Sequence, residues 1–69
     1  MPPKLHKFKV PIKKAVQFEK RGGFRGRDGL WWTDENEDGS ITYFFAGLFR
    51  FQARKIKDAA ESVGGYKVP

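Results

Sequence analysis

The chain has 69 residues, a formal net charge of +6 and no cysteine. Such a length supports one small domain with a marginal core. Without thiols there can be no disulfide, Cys-ligated zinc or cysteine nucleophile, and the single histidine, His6, excludes a multi-histidine metal site.

Met1 to Lys4 read as a frayed start, because Pro2 and Pro3 cannot donate backbone hydrogen bonds. From Leu5 to Val10 the chain alternates, with His6, Phe8 and Val10 on one side and Lys7 and Lys9 on the other. Period two predicts a half-buried strand, ended or made an edge by Pro11. Ala15 to Glu19 is expected as a second short strand with Val16 and Phe18 inward. Residues 20–29 hold four glycines and are expected as a loop.

Leu30 to Thr33 predict a strand in which Trp31 and Trp32 point to opposite faces, one into the core and one outward. Thr33 to Ser40 form a polar, acidic turn, and its Asp38-Gly39 signals a hairpin. Ile41 to Phe45 have the highest strand propensity in the chain. Ala53, Ile56, Ala60 and Val63 recur at helical spacing, and Gly64-Gly65 suits a helix C-cap. The start of this helix shows no strong capping residue. A rival continuous helix capped by Ser40 would align Ile41, Phe44, Phe45, Leu48, Phe49, Ile56 and Val63, but sets Gly47 mid-helix at about 1 kcal/mol. Strand followed by helix is the expectation.

The charges fall in blocks. Residues 1–27 carry +8, residues 28–49 carry −5 and residues 50–69 carry +3. Basic blocks of this density point to a polyanionic partner, nucleic acid above all. Eleven of the 69 residues are aromatic, more than a polar surface needs. Most must fill the core, and the remainder can stack on bases.

Arg21-Gly22-Gly23-Phe24-Arg25-Gly26-Arg27 resembles an RGG box, in which glycine lets the backbone approach phosphates, arginine forks onto them, and Phe24 stacks. Lys4, Lys7, Lys9, Lys13 and Lys14 add charge on the first strands. Arg50, Arg54 and Lys57 make a stripe on the helix. Asp34, Asn36 and Asp38 occupy EF-hand-like positions, but Phe45 stands where the bidentate glutamate belongs, so no metal site is expected. No catalytic constellation and no cofactor motif is present, and an enzyme is not expected.

The order strand, acidic turn, strand, Gly-x-Phe and helix is similar to the plant ethylene-response-factor domain and to the arm-binding domain of tyrosine integrases. Phe24-Arg25-Gly26 resembles the Tyr-Arg-Gly that opens the plant domain, and Gly47-Leu48-Phe49 resembles its Gly-x-Phe before the helix. The likeness covers about residues 24–63. It implies a three-stranded sheet laid in the DNA major groove, with Arg25, Arg27 and one of Trp31 and Trp32 facing the bases. The helix lacks the usual polar cap, and residues 5–19 lie outside the pattern.

The expected fold is α+β: one domain over residues 1–69 with a small antiparallel sheet of three or four strands and one C-terminal helix packed on it. An SH3-like barrel is compatible with the same order. The expected core is Phe8, Phe18, Ile41, Tyr43, Phe45, Phe49, Ile56, Ala60 and Val63. The expected function is non-enzymatic binding of nucleic acid, DNA before RNA, with the cations of residues 1–27 and 50–57 gathered on one platform. Lys7, Lys9, Lys13, Lys14, Arg21, Arg25 and Arg27 would hold phosphates, joined by Arg50, Arg54 and Lys57, while Phe24, Trp31 or Trp32 stack. The alternative is a small regulatory or inhibitory protein that binds a host protein or enzyme such as a polymerase. No apolar run reaches the roughly 18 residues of a membrane span. The first residues are too polar for a secretory signal, so a cytoplasmic protein without membrane contact is expected.

Overall fold

The computed structural model describes residues 4–24 and 30–69, with the backbone alone for Leu30 and Trp31. The elements are β1 (Leu5–Pro11), a 3-10 turn (Ile12–Lys14), α1 (Ala15–Gly22), β2 (Leu30–Glu35), β3 (Ser40–Ala46), α2 (Arg50–Ser62) and β4 (Tyr66–Val68). One four-stranded sheet has the order β2-β3-β1-β4. All its pairings are antiparallel. The fold is α+β, as expected, and its connectivity is the split β-α-β arrangement of ferredoxin-like domains. The sheet is open, with β2 and β4 at its edges, and is not an SH3-like barrel.

β1 is central and pairs with β3 along its whole length, from Leu5 opposite Ala46 to Pro11 opposite Ser40. The period-two pattern sets its faces: His6, Phe8 and Val10 are buried against the helices. In β3 the same side takes Tyr43 and Phe45. This placement separates the chain from the three-stranded domains it resembles, because β1 precedes the region of likeness and lies beside β3.

Residues 15–22 form a helix, contrary to the strand expected over Ala15–Glu19. Alternation over five residues is too short to set a period. Helical spacing explains the burial better, since Phe18 and Gly22 are buried and Ala15 packs against the core, while Val16 is exposed. Gln17, Glu19, Lys20 and Arg21 are good helix formers. Gly23 ends α1 at φ +67°, donating to the carbonyls of Glu19 and Lys20. Gly22 is required by contact: a Cβ there would lie 2.6 Å from the ring of Phe24, which folds back over it.

The core is built from aromatic edges. Phe18 meets Phe24 and Tyr43 with ring centroids 4.9 Å apart in both pairs, and Phe24 meets Phe45 at 4.8 Å and 87°. Edge-to-face pairs each add about 1 kcal/mol beyond area burial. Ile56, Ala59, Ala60 and Val63 close the cluster from α2. Tyr43 donates its hydroxyl to Glu19 Oε2 at 2.8 Å, and burial followed by this bond pushes its ionisation far above the usual phenol range. Phe49, expected in the core, is 67% exposed as the residue before α2, and Ile41 is only half-buried. Val10, Phe24 and Ala59 join the core instead.

α2 starts at Arg50, three residues before the periodic stretch, so the rival continuous helix is absent. Gln52 accepts the Phe49 N–H at 3.0 Å, one half of a capping box, but Phe49 has no oxygen to return the bond. The other end carries the expected glycine cap. Gly64 lies at φ +85° and donates to Glu61, while Gly65 donates to Ala60 at 2.8 Å. This pair of hydrogen bonds is a Schellman ending. It turns the chain directly into β4, which the sequence reading missed. Gly65 passes so close to β1 that a Cβ would overlap the Lys9 carbonyl and Val10.

His6 is buried, and its Nδ1 has no hydrogen-bond partner among the described residues. Burial first, then the charges of Lys67 and Lys4, lower its pKa below 6.5. The folded state therefore holds His6 neutral, while the unfolded chain protonates it near 6.5. Stability from this group is complete above that value and declines as pH falls below it. We expect the midpoint of urea unfolding to drop between about pH 7 and 5, and His6→Leu to flatten that slope, since leucine leaves no buried polar atom. Equal slopes for both proteins in denaturation curves would show that His6 is not the group responsible.

Candidate nucleic-acid interface

With both helices on one side, the other side of the sheet carries the remaining half of every strand. The register places Trp32 of β2 opposite Phe44 of β3, Phe44 opposite Lys7 of β1, and Lys7 opposite Val68 of β4. The next row runs Asp34, Thr42, Lys9 and Tyr66. Paired residues share a face, and neighbouring strands lie about 4.8 Å apart. The open face therefore presents three aromatic side chains, Trp32, Phe44 and Tyr66, around two lysines.

Trp32 is 40% exposed and Tyr66 is 50% exposed. The rings of Trp32 and Phe44 have centroids 4.7 Å apart at 31°, so they form a tilted apolar step across β2 and β3. A register shift between Leu30 and Trp32 takes up one residue and sets Trp32 on this face. The expectation that one of the two tryptophans faces outward thus falls to Trp32, while the side chain of Trp31 lies outside the described residues.

The β2–β3 hairpin borders the platform. Asn36 and Ser40 close it through an N–H to carbonyl bond of 2.8 Å, and Gly39 takes the left-handed position at φ +83°. Asn36 Nδ2 donates to the hydroxyls of Ser40 (3.0 Å) and Thr42 (2.9 Å). Asp38 accepts from the Ser40 hydroxyl and amide, and pairs with Lys9 Nζ at 2.9 Å. Asn36 and Asp38, two of the EF-hand-like positions, thus serve the turn and its link to β1. Asp34 is on a strand, and no group of three metal-ligating side chains occurs among the described residues.

These bonds set the local electrostatics. The Ser40 hydroxyl, then Lys9, pull the Asp38 carboxyl down to about 2. The same hydrogen bond, with a smaller contribution from Tyr66, raises the Lys9 ammonium above its ordinary value. Lys9 is thus a cation already engaged, whereas Lys7 has no ion pair among the described residues.

The other cations are divided between layers. Lys13 and Lys14 are exposed on the 3-10 turn beyond β1. Arg21 belongs to the helix layer, where its Nη1 donates to the Ser62 hydroxyl at 2.8 Å. Arg50, Arg54 and Lys57 lie exposed on α2, again on the helix side. Arg25 and Arg27 lie outside the described residues. Among the described residues the cations of the expected platform are therefore divided: Lys7 and Lys9 lie on the open face of the sheet, and Arg21, Arg50, Arg54 and Lys57 on the helix side. Phe24 is 4% exposed and packs on Phe18, so its expected stacking role gives way to a core role.

Phe44 and Tyr66 were missed by sequence reasoning. Phe44 carried a usable signal, since inward Tyr43 and Phe45 force it outward. Tyr66 carried none, because three residues after a glycine pair are too few to show a period. Comparison with protein-family models, with curated proteins and with solved structures gives no match. No helix among the described residues is long and apolar enough to cross a membrane.

The cause of the Asp38 shift can be checked directly. Titration of its side chain followed by NMR should give a value of about 2 in the native protein. Ser40→Ala and Lys9→Met should each raise it, since the hydroxyl bond is the largest single cause and the lysine adds both a hydrogen bond and its charge. A value unmoved by Ser40→Ala would show that the hydroxyl is not a cause of the shift.

Proposed function

We propose that this chain is a non-enzymatic nucleic-acid-binding protein that takes a single strand on the open face of its sheet. One observation carries the reading: Trp32, Phe44 and Tyr66 share that face with Lys7 and Lys9 in adjacent cross-strand rows. Exposed aromatic rings stack on unpaired bases, at about 1–3 kcal/mol per base, while lysines track the phosphates. A duplex hides the faces of its bases, so an aromatic platform favours single strands. Stacking is tolerant of sequence, and the reading assigns no sequence preference. The expectation of DNA before RNA becomes a choice between two probes of the same chemistry.

The ion pair of Lys9 with Asp38 gives the platform an internal competitor. A phosphate that approaches Lys9 must displace a carboxylate, whereas one that approaches Lys7 displaces none among the described residues. Lys7 is therefore the stronger phosphate contact, and Lys9 serves partly to hold the hairpin against β1.

Fluorescence titration with single-stranded DNA and RNA oligonucleotides tests the reading. Trp32→Ala is expected to weaken binding by about 1–3 kcal/mol, or roughly five- to 150-fold. Lys7→Ala should reduce the slope of log K against log salt by about 0.7. Arg54→Ala, on the opposite layer, should leave both affinity and slope near native. Absence of binding to every oligonucleotide, or binding indifferent to Trp32, would overturn the proposal.

A second reading, a small regulator that binds a protein, is favoured by Phe49 and Phe51. They are 67% and 72% exposed at the start of α2 and stack in parallel at 6.0 Å. Exposed aromatic pairs of this kind act as interface anchors. Binding to a polymerase that survives nuclease treatment and is lost in Phe51→Ser would support it.

A further inference from the structure

The helix layer holds a groove that the sheet-face reading leaves unused. It runs between α1 and α2, with Arg21, Phe51, Arg54 and Lys55 in its walls and Asp58 in its lining. Arg21 is held over it by bonds from Nη1 to the Ser62 hydroxyl (2.8 Å) and carbonyl (3.3 Å). No carboxylate lies within ion-pair distance of Arg21, Arg54 or Lys55 among the described residues, and this includes Asp58. Phe51, 72% exposed, gives the same groove an apolar wall. A surface of three unpaired cations beside an exposed ring is complementary to an acidic segment flanked by apolar residues.

The chain itself carries such a segment. Residues 28–49 contain five acids and no Lys or Arg. Asp34, Glu35 and Glu37 are exposed on the β2–β3 hairpin, and none forms an ion pair among the described residues. Trp32 borders them. The hairpin tip lies at the Pro11 end of β1, where Gly39 accepts the Ile12 N–H at 3.0 Å. The hairpin thus belongs to the sheet layer and the groove to the helix layer, so the two present to different sides of one molecule.

We propose that the α1–α2 groove of one copy receives the acidic hairpin of a second copy. The contact is head-to-tail: each chain offers a hairpin to one neighbour and a groove to another. The hairpin shares Trp32 and Asp34 with the open face of the sheet, but the groove is separate from it, and the contact does not depend on the nucleic-acid reading. The net charge of +6 opposes close approach of two chains. At about 0.1 M salt the Debye length is about 10 Å, so that long-range repulsion is largely screened, while charges at contact distance still interact.

Sedimentation velocity on nuclease-treated protein tests the contact through charge reversal. At about 0.1 M salt the native chain should show an average mass that rises above the monomer with concentration and returns to it near 1 M salt. Glu35→Lys with Glu37→Lys should weaken association by about tenfold or more, and so should Arg54→Glu with Lys55→Glu. The second variant discriminates, because its net charge is lower and simple relief of repulsion would make it associate more. An equimolar mixture of the two variants should associate again, since reversed hairpin then meets reversed groove and native hairpin meets native groove. Circular dichroism checks folding, and the milder glutamine versions of the same substitutions replace any variant that fails. A native chain monomeric at every concentration, association untouched by the reversals, or a mixture that stays monomeric would each overturn the proposal. So would association that is lost in Phe51→Ser but survives both charge reversals, which would mark a purely apolar contact. Oligonucleotide binding to the native chain, measured separately, leaves these outcomes unaffected.

Discussion

The edge-on packing of Phe18 and Phe24 against Tyr43 and Phe45 is the constraint on which the rest of the molecule depends. It fixes which side of β3 is the inside. Once Tyr43 and Phe45 point toward the helices, Thr42 and Phe44 must point away, because a strand has a period of two. The pairing with β1 carries the same choice across, burying Phe8 and Val10 and leaving Lys7 and Lys9 on the far side. A one-residue slip would exchange these sets and bury two lysines. The outer face is therefore a consequence of the core.

Glycine enforces this arrangement at two close approaches. At Gly22 the missing side chain lets Phe24 fold back into the cluster, and at Gly65 it lets the last strand reach β1. The second of these delivers Tyr66 to the open face opposite Lys9. A domain of 69 residues has little stability in reserve. Using a three-residue strand both to cover an edge of the sheet and to present an aromatic ring is economical in chain length.

Much of this was legible in the residues. The alternation of Leu5–Val10, the Asp38-Gly39 turn, the aromatic strand after it and the Gly64-Gly65 cap all stand where their local chemistry puts them. The failures have physical causes. Ala15–Gly22 shows two inward residues under either period, and only the full helix, whose last residue Gly22 is buried, separates the two. Phe24 sits among arginines and glycines, and its neighbours say nothing of the core it enters across Gly22. Phe49 fits a helical arc but precedes the helix, so its ring stays outside. The division of cations between two layers was not legible, because it depends on α1 being a helix that carries Arg21 away from the sheet.

The central claim is that the aromatic and lysine face of the sheet is the working surface. The most direct measurement is amide and indole chemical-shift mapping while a single-stranded oligonucleotide is titrated in. The account predicts that shifts concentrate at Lys7, Lys9, Trp32, Phe44 and Tyr66, with the outer residues of α1 and α2 unmoved. Shifts centred on Arg50, Arg54 and Lys57, or none anywhere, would contradict it.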